Sequence, residues 1–451
     1  MNRWFVRSVL HPLHERLRGR PTCAFLRDFR RTESLDPAAR DALIDRRLRD
    51  LVGHAVTRTP FWREWARREG FDVAAFRGRA DLAALPVTDK AFIREHLEDL
   101  VAEDRRDRVF RLETGGSSGV PLIFYSDKER EASQLAAKAR CREWWGVTTG
   151  DRQMDLWGSP IELGAQDRFR IWKDRLLNFR LLSAFHLSDE DMAGFRAAFR
   201  DHGTDYVYGY ASVLDRYAAF LEQRGEDLHE LGLKVAVTTA ETLFPDQRDR
   251  IARVFGCGVA NEYGCRDGGY LAQECPSGGL HLAVDTTHVE ILDEDDRPRP
   301  DGEVGTVAVT NLWSFGFPVI RYKLGDRASR LPDPCPCGRS LPLLGELGGR
   351  VTDMLLTPDG NRVHGLGVIY VLRVLPGVDR FQVVQRELDE VVVRVVPREG
   401  ARAEDLRPPI EAGVRQVLGP RVGVVVELVP EIPPLPSGKH RPIVSELETS
   451  R

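Results

Sequence analysis

Four polar segments of this sequence combine residue types that could bind a nucleotide. The first is a loop rich in glycine and hydroxyl groups, Thr114-Gly115-Gly116-Ser117-Ser118-Gly119. Glycines allow backbone N–H groups to approach an anion, and the loop lies between a predicted strand and a helix, where phosphate-binding loops occur. It is not a P-loop, because no Gly-Lys-Ser/Thr sequence follows. The residues alone leave phosphate binding and an ordinary flexible turn as alternatives.

Two further segments offer an aromatic face and carboxylates. Asn261–Gly269 places Tyr263 beside a glycine with Asp267 following, so a base could stack on the ring near a tight turn. Ile320–Asp326 predicts a strand that ends at a turn, where the Asp326 carboxylate could accept hydrogen bonds from a ribose diol. Taken alone, these residues favour a polar loop for the first segment and a strand-capping aspartate for the second over a nucleotide site.

The fourth segment, Pro436–Arg441, carries a lysine behind a glycine. Lysine is scarce here, because the 65 basic residues include only seven lysines, at positions 90, 128, 138, 173, 234, 323 and 439. A guanidinium does not replace the compact charge of an ammonium, so each lysine in this arginine-rich chain marks a candidate functional position. A flexible loop could carry Lys439 to a phosphate, although a solvated tail has the same composition.

A separate group of three thiols and one imidazole could hold a metal ion. Cys275 and His281 form a C-x5-H pair, and Cys335 and Cys337 form a C-x-C pair. Such a set can make a closed tetrahedral zinc site, whereas free reduced thiols are the alternative. The sequence therefore predicts a structural Zn²⁺ site at these four residues.

The elements that must position these residues change in type along the chain. About the first hundred residues predict helices, with Thr88 as the N-cap of a short one. Residues from about 150 to 260 alternate strands with amphipathic helices, which predicts a largely parallel, helix-covered sheet. Beyond Glu262 the pattern is β-rich, with strands predicted at His281–Asp293, Gly305–Thr310 and Pro318–Tyr322.

The last hundred residues predict a small α+β unit with a strand pair, a helix and a further strand, at Arg380–Val384, Glu390–Val396, Leu406–Leu418 and Arg421–Leu428. We therefore predict an α/β fold. Its large N-terminal domain, residues 1–348, has parallel sheet layers, a β-rich subdomain and a helical region over residues 1–100. A small mobile α+β C-terminal domain covers residues 349–451.

Composition excludes several classes of protein. The 451 residues are 42% hydrophobic and 30% charged, which is ordinary for a globular enzyme of two or three domains. A net charge of −4 argues against nucleic acid as a partner. No apolar run reaches the roughly 18 residues of a membrane span. Arginines interrupt Met1–Arg20, so we expect no secretory signal and a cytoplasmic location.

Together the four segments resemble the adenylate-forming ligase superfamily, in its phenylacetate–CoA ligase-like branch, over nearly the whole chain. Further motifs occur in the family's order and spacing: Thr59-Pro60-Phe61-Trp62, Leu85–Lys90, Cys335–Arg339, Gly349–Met354 and Ser437-Gly438-Lys439. Arg362–Gly365 and Phe381–Gln385 resemble a subgroup associated with capsule biosynthesis. Each motif by itself is weakly specific, whereas the five together in the family's order are strongly specific.

This resemblance implies an ATP site and the roles of its residues. The Thr114–Gly119 loop would hold phosphates, and Asp326 and Arg350 would contact the ribose. The adenine side would be formed by Ala240, Glu241, Thr242, Glu262 and Tyr263, with Tyr263 stacking on the base. Asp267 would help to hold Mg²⁺, and Lys439 would bridge ATP and the carboxylate, so the predicted catalytic residues are Lys439, Asp267 and Arg350.

The chain departs from the family pattern in three places. The glycine-rich loop lacks its common lysine, Asp267 stands where glutamate is frequent, and Thr352 occupies the usual acidic hinge position with Asp353 next. The first two departures bear on phosphate and metal contacts, and the third bears on rotation of the small domain.

The resemblance implies an AMP-forming ligase that makes an acyl-adenylate from ATP and a small carboxylic acid, then transfers the acyl group to CoA or another nucleophile. A non-catalytic nucleotide-binding scaffold in polysaccharide or secondary-metabolite assembly is the alternative. The predicted acid pocket comprises Trp157, Gly158, Tyr208, Gly209 and Tyr210. Neither Trp157-Gly158 nor Tyr208-Gly209-Tyr210 contains a lysine or arginine that could pair with a second carboxylate. We therefore expect an acid with an uncharged aromatic or medium-chain group.

Overall fold

The structure is a computed structural model that describes residues 1–114, 121–157, 168–183, 189–241, 243–332, 334–345, 347, 354–398, 400–432 and 442–447. Its first hundred residues are helical, as predicted. A π-helical turn, Val6–Leu10, separates the first two helices. The helices of this region are α1 (Arg3–Phe5), α2 (His11–Leu17), α3 (Thr22–Thr32), α4 (Pro37–Arg58), α5 (Pro60–Glu69) and α6 (Lys90–Glu95). Short 3₁₀ helices cover Arg79–Ala84 and Glu103–Arg105.

The N-cap of α6 is Asp89 and not Thr88, so that prediction was wrong. The Asp89 carboxylate accepts a hydrogen bond from the Phe92 N–H at 2.8 Å. The Thr88 hydroxyl instead donates to the Ile320 carbonyl at 2.9 Å, and its backbone pairs with the strand that begins at Tyr322. A long-range backbone contact thus takes the residue that local spacing assigned to the cap.

A mixed sheet forms the centre of the N-terminal part. Its parallel strands are β3 (Gln153–Trp157), β4 (Phe179–Ser183), β5 (Tyr206–Tyr210), β6 (Val235–Thr239) and β7 (Gly258–Cys265). Its antiparallel strands are β8 (Gly269–Glu274), β9 (Leu280–Leu282), β13 (Arg330–Leu331) and β14 (Leu343–Leu344). Among the described residues the strand order is β13-β14-β9-β8-β7-β6-β5-β3-β4, with β4, β3, β5, β6 and β7 parallel and the remaining pairs antiparallel.

Helices cover both faces of the parallel strands, as the alternating pattern predicted. They are α7 (Lys128–Glu143), α8 (Arg168–Leu176), α9 (Asp189–His202), α10 (Ala211–Gln223) and α11 (Pro245–Phe255), with a 3₁₀ turn at His229–Leu231. Apolar side chains of α9, α10 and α11 pack on one face, around Val207 and Ala236. On the other face Val235, Val237 and Ala260 form a smaller core with Tyr206 and Tyr208.

The β-rich part contains a hairpin of β1 (Phe110–Glu113) with β2 (Ile123–Ser126) and a sheet of β10 (Thr287–Leu292), β11 (Gly305–Asn311) and β12 (Tyr322–Ala328). Two strand predictions were wrong in their bounds. His281–Asp293 is divided between β9 and β10, and β12 begins only at Tyr322, where the predicted strand Pro318–Tyr322 ended. Arg321 has a φ of 46°, a conformation incompatible with extended pairing.

The C-terminal part has its own apolar core, which runs from Leu355 to Ile443. It contains β15 (Met354–Leu356) paired with β16 (Arg362–His364), and α12 (Leu366–Arg373) and α13 (Ala403–Leu418). Its sheet has the order β19-β18-β17-β20, formed by β17 (Val378–Glu387), β18 (Glu390–Pro397), β19 (Gly423–Leu428) and β20 (Ile443–Ser445). The predicted boundary, residues 348 and 349, lies outside the described residues. Within the described residues, no helix is both long and apolar enough to cross a membrane.

Candidate functional site

Two of the predicted nucleotide contacts meet where β7 ends. Tyr263 lies in β7, and its phenolic O–H donates to Asp326 Oδ2 at 2.9 Å. Asp326 lies in β12 of the neighbouring sheet, 63 residues further along the chain. The structure therefore brings the predicted adenine-stacking ring and the predicted ribose-binding carboxylate into direct contact.

Asp267 lies next to this pair, in the turn between β7 and β8. It is 6% exposed, and Tyr322 donates its O–H to Asp267 Oδ2 at 2.6 Å. The buried Arg130 guanidinium donates to the carbonyls of Asp267 and Arg266. Burial lowers the pKa of Arg130, and the Asp267 carboxylate opposes that effect. The predicted metal-side carboxylate thus bonds to Tyr322. Burial raises the pKa of the Cys265 thiol, and the charges of Asp267 and Asp326 raise that pKa further, so the two carboxylates lie near one side chain.

Ala240 and Glu241 follow the carboxyl end of β6. Ala240 has a φ of 65°, a left-handed conformation that is costly for a residue with a Cβ. Glu241 Oε2 accepts a hydrogen bond from the Ser212 N–H at 2.9 Å, in the first turn of α10. A carboxylate at a helix N-terminus is favourable, so Glu241 ties the end of β6 to the start of α10.

Glu262 is the centre of a buried ionic network that the sequence did not indicate. Its carboxylate is 4% exposed, with Lys138 Nζ at 2.7 Å, the Tyr208 hydroxyl at 2.9 Å and Arg142 Nη2 at 3.8 Å. Burial by itself would raise the pKa of Glu262, but the charges of Lys138 and Arg142 outweigh it and lower that pKa. Burial next to Glu262 raises the pKa of Tyr208 to about 12. The glutamate is therefore ionised and paired, and Tyr208 is neutral.

The aromatic residues of the predicted acid pocket form one cluster. The Trp157 ring stacks on Tyr208 with centroids 5.7 Å apart, and its centroid lies 4.1 Å from that of Tyr210. A Cβ at Gly209 would lie 2.7 Å from the Leu156 carbonyl oxygen, so the close approach of β3 and β5 requires glycine there. These strands place three flat rings at the carboxyl end of the parallel sheet.

The thiols and imidazole of the predicted zinc site also converge. The ligand atoms of Cys275, His281, Cys335 and Cys337 all lie within 4.8 Å of one another. His281 Nε2 lies 3.2 Å from Cys337 Sγ, while its Nδ1 lies 3.1 Å from the Leu341 carbonyl oxygen. An Nδ1–H donated to that carbonyl leaves Nε2 as the ligand atom. Burial lowers the pKa of His281 to about 4, which keeps the imidazole neutral.

Several predicted site residues lie outside the described part of the chain. They are Gly115, Gly116, Ser117, Ser118, Gly119, Gly158, Thr242, Arg350 and Lys439. Thr114, at the base of the glycine-rich loop, is described. Its backbone N–H donates to the Leu122 carbonyl at 2.9 Å and its hydroxyl accepts from the Leu122 N–H at 3.0 Å. These two bonds close the ends of the loop.

Comparisons with known proteins find relatives that match most of the chain. The family model of the CapK C-terminal domain matches residues 355–446. Protein CapK of Staphylococcus aureus is 23% identical, covering 82% of this chain and 81% of that protein. A phenylacetate-coenzyme A ligase of Thermus thermophilus is 28% identical, covering 78% of this chain and 80% of that protein. The crystal structure of 2-hydroxyisobutyryl-CoA ligase with 2-HIB-AMP and CoA shares 22% identity and a TM-score of 0.65, covering 93% of this chain and 92% of that one.

The fold is similar to that of 2-hydroxyisobutyryl-CoA ligase, with a mixed α/β N-terminal part and a small α+β C-terminal part, as predicted. The chain is similar to phenylacetate-coenzyme A ligases at 28% identity or less, and its residues 355–446 match the CapK C-terminal domain. The resemblance to phenylacetate–CoA ligases and the resemblance to a capsule-biosynthesis subgroup, both predicted from the motifs, are confirmed.

Proposed function

We propose that this chain is an AMP-forming acid–CoA ligase. It joins a carboxylate to the α-phosphate of ATP, which releases pyrophosphate, and then transfers the acyl group from AMP to the thiol of CoA. The observation that carries the proposal is the Tyr263–Asp326 hydrogen bond beside the buried Asp267, at the carboxyl end of the parallel sheet. Ligands bind at this edge in open α/β sheets. The names of the relatives, phenylacetate and 2-hydroxyisobutyryl-CoA ligases, support CoA as the acceptor.

The proposed roles follow the motif positions. Tyr263 stacks on adenine, Asp326 and Arg350 hold the ribose, and Lys439 meets the charge that develops between phosphate and carboxylate. The loop from Thr114 to Gly119 surrounds the terminal phosphates. Magnesium is usually held by one or two protein carboxylates together with substrate phosphates, and the Asp267 carboxylate, fixed by Tyr322, fits that role.

We propose that the acid is uncharged and aromatic or of medium chain length. Trp157, Tyr208 and Tyr210 supply flat apolar walls. The structure does bring Lys138 and Arg142 against the Tyr208 ring, which the sequence did not indicate. Both cations pair with the buried Glu262, so its carboxylate already occupies them, while the three groups together keep a net charge of +1.

Three further proposals concern the frame around the site. Residues 1–348 form the N-terminal domain and residues 349–451 a small mobile domain, which the separate C-terminal core supports. Cys275, His281, Cys335 and Cys337 hold one structural Zn²⁺, a role that their convergence and the fixed His281 tautomer support. The enzyme works in the cytoplasm, where ATP and CoA are available and cysteines stay reduced.

Pyrophosphate exchange with a panel of aryl and alkyl acids tests the function. Exchange that depends on one acid class and on Mg²⁺ is the expected result. Lys439→Ala should lower the rate by about two orders of magnitude because a transition-state contact is lost. Lys128→Ala, at an exposed lysine of α7, is the matched control and should retain the rate. An unchanged rate in Lys439→Ala contradicts the role of that lysine, and no exchange with any acid contradicts the function.

A further inference from the structure

The N-terminal helix presents an apolar stripe to solvent. Arg3–Leu17 forms one helix built of α1, the π turn and α2. Large apolar side chains recur at every fourth position and are exposed, namely Met1 (49%), Phe5 (37%), Val9 (40%), Leu13 (50%) and Leu17 (78%). Trp4, 63% exposed, widens the stripe. Single exposed apolar residues are ordinary, whereas a continuous stripe marks an interaction surface.

The π turn keeps this stripe straight. In an α-helix of about 3.6 residues per turn, a spacing of four residues drifts steadily around the axis. The wider turn at Val6–Leu10 rotates the chain less per residue and so reverses part of that drift. Val9, Leu13 and Leu17 therefore continue the line that Met1 and Phe5 begin.

The opposite face fixes the helix to the protein. Val6 is buried, Arg3 pairs with Asp205, and the Met1 carbonyl accepts from Asn178 Nδ2 at 3.4 Å. Asp205 and Asn178 immediately precede β5 and β4, so these contacts lie at the amino ends of the parallel strands. The Tyr263–Asp326 pair lies at the carboxyl end of the sheet. The stripe is thus held away from the candidate active site.

The charge of this segment is opposite to that of the chain. Residues 1–20 contain five arginines and one acidic side chain, a net of +4, whereas the whole chain carries −4. The acid, Glu15, is 3% exposed and bonds to Arg20. Arg7, Arg16 and Arg18 are exposed, and none of them forms an ion pair with any residue that the structure describes. The stripe is therefore bordered by unneutralised positive charge.

We propose that this helix docks in the plane of an anionic lipid bilayer, as a peripheral membrane contact. An exposed face with tryptophan, phenylalanine and leucine, flanked by arginine, is the pattern of interfacial amphipathic helices. Lipid phosphates complement Arg7, Arg16 and Arg18. A second copy of this chain would bring the same cationic helix against itself, so charge favours lipid over self-association. The carboxyl edge of the sheet then faces the aqueous phase, open to ATP.

Vesicle sedimentation of the full chain, tagged at its C-terminus, tests the proposal. Vesicles of phosphatidylcholine alone are compared with equimolar phosphatidylcholine and phosphatidylglycerol, at low and high salt. The wild type should bind the anionic vesicles and release them at high salt. Leu13→Asp with Leu17→Asp should weaken binding at least about tenfold, because two inserted side chains become charged. Val374→Asp with Leu388→Asp, at exposed positions elsewhere, is the matched control and should bind normally.

The charge contribution is tested separately by replacing three arginines with glutamine. Replacing Arg7, Arg16 and Arg18 should weaken vesicle binding by about fivefold per arginine. Replacing three exposed arginines elsewhere is the matched control and should leave binding unchanged; these are Arg46, Arg58 and Arg407. Pyrophosphate exchange should be unchanged in all these variants, which separates this proposal from the proposed function. Equal binding of the wild type and the Leu13→Asp, Leu17→Asp variant overturns the proposal. The proposal is also overturned if the wild type binds neither kind of vesicle and instead forms a dimer in light scattering that the Leu13→Asp, Leu17→Asp variant does not form.

Discussion

Replacement of Lys138 by methionine tests whether the ionic network around Glu262 stabilises the sheet edge that carries the candidate site. Lys138 Nζ lies 2.7 Å from Glu262 Oε1, and the glutamate is 4% exposed. Methionine keeps the length and much of the apolar contact of the lysine stem. The variant therefore removes the charge and leaves an ionised carboxylate buried among Tyr208, Thr239 and Arg142.

The expected loss of stability follows from the partners that remain. Removing one member of a buried ion pair costs about 3–5 kcal/mol. Here Arg142 Nη2 stays 3.8 Å from the carboxylate, Tyr208 still donates, and the Lys138 side chain is 28% exposed. Because these contacts remain, the expected loss for Lys138→Met lies at or just below the lower limit of that range, at about 2–3 kcal/mol. Glu262→Gln in the same chain removes the orphan charge, so the double variant should recover about 1–2 kcal/mol of that loss.

Urea denaturation followed by intrinsic tryptophan fluorescence measures these differences. Lys323→Met is the matched control, because Lys323 pairs with Asp296 but both side chains are about one-third exposed, at 30% and 38%. An exposed pair contributes about 0–1 kcal/mol, so this variant should unfold close to the wild type. Equal losses in Lys138→Met and Lys323→Met would refute the reasoning.

The dependence on pH supplies a second check. The pKa of Glu262 is below its ordinary 4.5 in the folded protein, so its ionised form contributes stability above about pH 4.5. That contribution disappears as the pH falls through the folded pKa. Without Lys138 the pKa of Glu262 rises, and protonation then relieves the buried charge. The loss caused by Lys138→Met should therefore be smaller at pH 4.5 than at pH 7, and a constant loss would contradict this account.

Three further predictions concern the individual sites. Cys337→Ser should reduce the zinc content from about one ion per chain to near zero in elemental analysis of untagged protein, whereas Cys23→Ser, at a cysteine away from the cluster, should not. Asp326→Asn should raise the ATP KM in pyrophosphate exchange by about tenfold, because a charged hydrogen-bond acceptor is lost, and an unchanged KM argues against ribose contact. Tyr210→Ala should change the ranking of activated acids, whereas a purely structural Tyr210 should cost about 3–5 kcal/mol without altering it.

Local features of the chain were predictable because they depend on near neighbours. The predicted helix Leu406–Leu418 lies within α13 and ends at the same residue, since its apolar spacing is set within the segment. The antiparallel pair β17 and β18 agrees with the predicted Arg380–Val384 and Glu390–Val396 pair for the same reason. The prediction of Thr88 as a helix N-cap failed because the Thr88 backbone pairs instead with Tyr322, a residue distant in the sequence.

The sequence by itself determined the fold class, the aromatic and acidic composition of the candidate site, and the four-residue thiol and imidazole set. Only the tertiary structure decided which side chains neutralise one another. Lys138 and Glu262 are 124 positions apart, and neither motif nor periodicity links them. Their pairing depends on how α7 lies across the parallel strands. The same applies to Met1–Leu17, since the sequence shows its apolar residues but only packing against Asp205 and Asn178 decides which of them face solvent.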